Sequence, residues 1–149
     1  LKNDCSIILV GLNKKQLNNL PSNIIGLPRT ESPKHLAKLY SLSDVFVNPT
    51  YEDTFPTTNL EAMACGTPVI TYSTGGSVES ITHETGLVVE KGDVISMLQA
   101  ITTIKEKGKS TYSNLCRGHA EKYFNKEDRF KEYLILYKDI LKDLTFGKN

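Results

Sequence analysis

The sequence lacks any apolar run that could cross a bilayer. Its longest, such as "IILV" at 7–10, fall far short of the roughly 20 residues a spanning helix needs. No secretory leader opens it, and no N-x-[ST] acceptor occurs, because Asn48 is followed by proline. Charge of one sign is lacking too. Lys and Arg number 18 against 17 Asp and Glu, a net charge of +1, so nothing points to an extended polyanion such as DNA, although a small basic pocket stays open. Cysteine is scarce: Cys5, Cys65 and Cys116 are odd in number and far apart, and we expect small buried hydrophobes in a reducing compartment. Cys116 and His119 form one C-x-x-H pair without a second, which does not make a zinc site. No histidine has a base-and-nucleophile set around it, and His35, His83 and His119 are expected on the surface or in a polar turn. We expect a globular domain, with the cytoplasm as its default location. Its 149 residues, 39% hydrophobic and 23% charged, suffice for one core and not for two. Because Leu1 leads within a few residues into "SIILVGL", we expect a piece of a longer protein.

What is present is a series of short β-branched runs, at 6–11, 23–27, 45–49, 68–72 and 86–90. They are continuously apolar rather than alternating, the pattern of strands covered on both faces. Helical spacing separates most of them. In "SPKHLAKLYSLSD", Leu36, Leu39, Tyr40 and Leu42 keep that rhythm, with Ser32 as N-cap and Pro33 in the first turn. In "TTNLEAMACG", Leu60, Met63 and Ala64 share a face and Gly66 ends the helix. After residue 92 only helices are expected, over 93–107, 111–123 and 127–144, the last with Phe130, Tyr133, Leu134, Tyr137, Leu141 and Leu144 on one stripe that packs onto the domain or crosses to another one. Strands alternating with helices predict an α/β fold with a doubly wound parallel sheet.

The stretch "YEDTFPTTNLEAMACGTP" at 51–68 follows one such strand and opens a helix. Ligands in open parallel sheets collect beyond the carboxyl ends of the strands. Free N–H groups near Phe55 to Asn59, with the helix dipole, suit a phosphate; Pro56 is tolerated in a first turn and Thr57 can cap. Carboxylates rim the same mouth, and they accept from hydroxyls. A sugar nucleotide satisfies both: Glu61 is within reach of a ribose diol, and Asp53 or Glu52 of a hexose's hydroxyls. The plainer alternative is that Asp53 or Thr57 caps the helix while Glu61 favours its dipole.

The line "SDVFVNPTYEDTFPTTNLEAMACGTPVITYSTGGSVESI" resembles the signature region of glycosyltransferase family 4, in the carboxy-terminal Rossmann-like domain of a GT-B enzyme. The family's motif is E-x7-E running into "EAMACGTPVI". Eight residues before Glu61 stands Asp53, with Glu52 one earlier; the variant "ED-x-[FY]-P-T-x-N-x-E" fits, and spacing favours Asp53 for the first acid. The resemblance implies a retaining transfer of a hexose from a UDP- or GDP-linked sugar to an acceptor hydroxyl, in bacterial polysaccharide or glycolipid synthesis. Asp53 would contact the donor sugar and Glu61 the ribose. The stretch Thr54, Phe55, Pro56, Thr57, Thr58 and Asn59 would hold sugar or diphosphate through main-chain N–H groups (Pro56 has none). Leu27 to Arg29 would border the base, Arg29 being otherwise a solvated charge. No cofactor or metal is implied, and no D-x-D pair is present. The protein would orient the donor and stabilise charge on the leaving diphosphate. The family's first strand–helix unit, with its arginine and lysine, and its acceptor-binding amino-terminal domain would precede Leu1, so residues 1–149 alone are expected to be inactive. Contact of the whole enzyme with the inner face of the plasma membrane is also implied.

Lys14 and Lys15 are expected as an exposed helix start, Gly75 and Gly76 as either a turn or a close approach to ligand, and Glu79 as the start of a helix. Two rivals stand beside this reading. A non-hydrolysing nucleotide-sugar epimerase would need acid–base side chains on the sugar, and a non-catalytic doubly wound module would need no acidic pair before the helix.

Overall fold

The computed structural model describes residues 5–146, with side chains to residue 142. Five strands and six helices follow in the order β1 (Ile7–Val10), α1 (Lys14–Asn18), β2 (Ile24–Leu27), α2 (Pro33–Leu42), β3 (Phe46–Asn48), α3 (Thr57–Ala64), β4 (Val69–Tyr72), β5 (Gly86–Val89), α4 (Val94–Lys107), α5 (Lys109–Phe124) and α6 (Lys126–Phe146). All pairing is parallel, as the continuous apolar runs require. The strands nevertheless form two sheets. In one, β1 lies beside β2, with Ile7 opposite Ile24 and Val10 opposite Leu27. In the other, β4 is central between β3 and β5, with Val69 aligned to both Phe46 and Gly86. Among the described residues, β1 and β3 each have a strand neighbour on one side only.

The core lies on β4, every residue of which is buried. Helical spacing delivers the rest: Met97, Ala100 and Ile104 from α4, and Tyr112, Cys116 and Ala120 from α5, at intervals of three or four residues. Met63 and Ala62 of α3 close it.

Local chemistry sets the helix ends. The Ser32 hydroxyl accepts from the His35 N–H at 3.2 Å, with Pro33 in the first turn. The α3 C-terminus closes with Gly66 at φ +74°, its N–H donating to the Met63 carbonyl at 2.8 Å and that of Thr67 to Ala62 at 3.0 Å. The C-terminus of α2 is capped from afar. Lys109, at the start of α5, donates its Nζ to the carbonyls of Ser41 (2.5 Å), Ser43 (2.8 Å) and Tyr40 (3.4 Å). A cation suits the negative end of the helix, although burial lowers this lysine's pKa.

Several expectations are corrected. Glu79 starts no helix: residues 75–77 form one 3-10 turn, and local hydroxyl bonding, with the Thr82 N–H donating to Thr85 Oγ1 at 2.9 Å, holds the next residues in turns. Leu42 faces solvent, as does Ala64; α3 instead buries Asn59, Ala62 and Met63, because its inner face is set by β4 and α5. His119 is half-buried, its Nε2 3.2 Å from the Ser80 carbonyl and its ring against Tyr123 and Phe124. Of the cysteines, all free, only Cys116 is fully buried. The stripe of α6 does not pack onto the domain. Phe130, Tyr133, Leu134, Tyr137 and Leu141 are exposed, because α6 leaves the core beyond Phe124, while the Leu144 side chain lies outside the described residues.

Candidate functional site

An open cavity of about 680 Å³ lies where β3, β4 and β5 end. The loop after β3 supplies Tyr51, Glu52, Asp53 and Thr54; the loop after β4 supplies Ser73, Thr74 and Gly75; Lys91 follows β5. This is the carboxyl edge of three adjacent parallel strands, where such sheets gather ligands. Ser73, Thr74 and Lys91 were not singled out in the sequence. Their only signal there is position, immediately beyond "PVITY" and "GLVVE".

The acidic loop is held by its own bonds. Asp53 Oδ1 accepts from the Phe55 N–H at 3.0 Å, and its carbonyl accepts from the Gly76 N–H at 3.1 Å. Thr50 Oγ1 donates to the Glu52 carbonyl at 3.0 Å, and Thr74 Oγ1 donates to the Thr50 carbonyl at 3.3 Å. Gly75 and Gly76 have a definite purpose here. A Cβ on either would run into the backbone carbonyl of Asp53 or Thr54 respectively, so glycine lets the β4 loop lie directly against the acidic loop. Tyr51 stands edge-on to Tyr72 at 5.7 Å between ring centres, and the Lys91 ammonium sits 5.4 Å from the centre of the Tyr51 ring.

Beside the cavity, α3 begins without a side-chain cap. Pro56, with ψ 105°, is the N-cap, and Thr57 is already helical, so the expected Thr57 cap is not formed. Thr57 and Thr58 are exposed, leaving their first-turn N–H groups open to an electron-rich group. The Phe55 N–H, by contrast, already has Asp53 as acceptor, and the Asn59 N–H reaches the Pro56 carbonyl at 3.1 Å. The buried Asn59 side chain accepts from Asn48 Nδ2 at 2.9 Å, tying α3 to the end of β3.

Glu61 lies one turn into α3. It is exposed, and its Oε2 accepts from the Tyr40 hydroxyl at 3.2 Å. The ion pairs found among the described residues all lie on α5 and α6, so neither Asp53 nor Glu61 is sealed by a cation. The two acids flank one helix start without lining one cavity: Glu52, Asp53 and Thr54 line it, whereas Phe55, Pro56, Thr57, Thr58, Asn59 and Glu61 do not. Leu27 and Arg29 do not line the cavity either. The Leu27 carbonyl accepts from Gly11 at 3.1 Å and Leu12 at 3.2 Å, and Arg29 is an exposed residue of the next loop. Lys14 and Lys15 open the exposed α1, whose cap is a reciprocal pair between Asn13 and Gln16. Among the described residues no three His, Cys, Asp or Glu come together as a metal-holding group.

A parallel α/β domain with a cavity at its strand ends that carries hydroxyls, carboxylates and a lysine is the class that these features define. The family described as glycosyl transferases group 1 matches residues 1–107. The N-acetyl-alpha-D-glucosaminyl L-malate synthase of Bacillus anthracis is 33% identical over 119 residues, covering 76% of this chain and 31% of that protein. The capsular polysaccharide biosynthesis glycosyltransferase CapM of Staphylococcus aureus is 30% identical over 116 residues, 74% of this chain and 30% of its own. The chain belongs to the group 1 glycosyltransferases. Its fold matches that of Anabaena HepE, solved in complex with UDP-glucose, with a TM-score of 0.64 at 20% identity over 94% of this chain and 40% of that one. The chain thus spans about a third of the length of the curated relatives it matches.

Proposed function

We propose that residues 1–149 form the donor-binding domain of a two-domain GT-B enzyme that transfers a hexose from a nucleotide-activated sugar to an acceptor hydroxyl, with retention of configuration. The observation that carries this reading is the uncapped α3 N-terminus standing between two carboxylates that form no ion pair among the described residues. Diphosphate suits the Thr57 and Thr58 N–H groups. The hexose suits the cavity, where Asp53 Oδ2 and Glu52 accept from its hydroxyls, and the ribose suits Glu61. Leu27 and Arg29 border the base. The chemistry asks the protein for little beyond orientation and stabilisation of charge on the leaving diphosphate, which itself assists the incoming hydroxyl. No cofactor is needed, and the donor, UDP- or GDP-linked, is the substrate. The HepE complex with UDP-glucose supports a sugar-nucleotide donor, and the name of CapM supports a place in bacterial polysaccharide synthesis. A glycolipid product and a location in the cytoplasm at the inner face of the plasma membrane are part of the same proposal. Among the described residues no helix is long and apolar enough to cross a membrane. Family membership disfavours the epimerase and the non-catalytic module.

The split sheet supports a longer chain. A further parallel strand placed between β1 and β3 would give each its second neighbour and make one doubly wound sheet. Residues 1–149 alone are accordingly proposed to be inactive. Titration calorimetry of the full-length enzyme with UDP and GDP tests the assignment. Glu61→Ala is expected to weaken nucleotide binding by about 1.5–3 kcal/mol, the worth of hydrogen bonds to a charged group, while His83→Ala leaves it unchanged. Equal affinities of the two variants would overturn the ribose role.

A further inference from the structure

The phenol of Tyr40 is nearly buried, with 8% of the residue exposed, and donates to an acid 21 residues away in sequence. Everything around it limits its movement. Its ring meets Phe46 edge-on with centroids 5.3 Å apart. Its carbonyl accepts from the buried Thr67 hydroxyl at 2.6 Å and from Lys109 at 3.4 Å, and Lys109 also holds the carbonyls of Ser41 and Ser43. Burial and the neighbouring carboxylate push its pKa well above the ordinary tyrosine value, so the hydroxyl keeps its proton at neutral pH. Glu61, by contrast, is an exposed glutamate, a side chain that otherwise samples several rotamers at an entropic cost whenever it is fixed.

We propose that Tyr40 is a positioning residue for the donor: by holding Oε2 of Glu61 it presents the other carboxylate oxygen to a hydroxyl of the nucleotide's ribose. The inference rests on the ribose role of Glu61. The tyrosine touches no substrate; it lowers the cost of ordering the acid that does. Deleting its hydroxyl therefore weakens a ligand only insofar as that ligand carries ribose hydroxyls, which a packing role would not do.

Calorimetry of the full-length enzyme with UDP and with 2′,3′-dideoxy-UDP (GDP and its dideoxy analogue if guanine is the base) separates the outcomes. Tyr40→Phe is expected to weaken the ribonucleotide about 3- to 10-fold, the worth of one hydrogen bond, and to leave the dideoxynucleotide unchanged. In a Glu61→Gln background, the same change is expected to add less than it does in the parent. Equal weakening of both nucleotides, or full additivity with Glu61→Gln, overturns the proposal. If Glu61→Ala itself leaves ribonucleotide binding intact, the ribose role fails; if Glu61→Ala weakens it and Tyr40→Phe does not, only the tyrosine's role fails. Should Tyr40→Phe unfold, 4-aminophenylalanine at position 40 keeps an N–H donor and is expected to retain the parent's preference for the ribonucleotide; loss of that preference in the folded variant overturns the proposal.

Discussion

β1 and β4 are each four residues long, rich in β-branched side chains and paired in parallel, yet only one is covered. In β4, Val69 and Ile70 are completely buried. In β1, Ile8, Leu9 and Val10 keep 38%, 37% and 39% of their surface. The strands differ in their surroundings. β4 has a strand on each side and α3 and α4 packed on it, whereas β1, among the described residues, has β2 as its one strand neighbour. An apolar parallel strand signals a place in a sheet covered on both faces. β4 occupies such a place within these residues and β1 does not, which is why the two halves should respond differently to the same kind of change.

Glycine substitution should show the largest contrast. A Cβ at Gly86 in β5 would enter the backbone of Val69, which cannot withdraw without breaking the β4–β5 register. At Gly26 in β2 it would meet the ends of the Leu17 and Leu20 side chains, which can rotate away. In urea denaturation, Gly86→Ala is expected to cost about 3 kcal/mol or more and Gly26→Ala about 1 kcal/mol or less; similar costs would break the comparison. Next in size is core truncation. Ile70→Ala should cost about 2–5 kcal/mol, while Leu9→Ala, in a half-covered strand, should cost under about 1.5 kcal/mol. The comparison sharpens if the Leu9 cost rises in the full-length enzyme, where the proposed extra strand lies against β1. An unchanged cost there would argue against that strand.

Much of this was legible in the sequence because local signals and final structure agreed. All five strands fall on the apolar runs, and Ser32, Pro33 and Gly66 mark helix ends as their side chains or φ angles dictate. The acidic loop before α3 was legible as well, since a strand, a short polar loop and a helix fix its place at the sheet's edge. What could not be read depends on neighbours distant in sequence. Lys109 reaches α2 across more than sixty residues, Lys91 joins Tyr51 and Asp53 only when β5 lies two strands from β3, and Tyr40 meets Glu61 through the packing of α2 on α3. The α6 stripe shows the limit from the other side. Its spacing announced an apolar face, and spacing alone does not say what covers that face.

The smallest expected effect contrasts the cysteines of the two regions. Cys5 precedes β1 and is half-buried, while Cys116 lies wholly inside, its thiol donating to the Thr85 carbonyl at 3.5 Å. Burial pushes the Cys116 pKa up from 9.0 to about 12. Above pH 9 the unfolded chain therefore releases a proton that the folded one keeps. The stabilisation is full below pH 9 and is lost progressively as the pH rises towards 12. Between pH 8 and pH 10 the loss should be on the order of 1 kcal/mol. Urea denaturation at both pH values, on the parent and on Cys116→Ala, isolates it, because the lysines and tyrosines that titrate in the same range are common to both proteins. A smaller fall in stability for Cys116→Ala than for the parent is expected; equal falls would mean that the thiol inside the β4 half is no better shielded than a surface one.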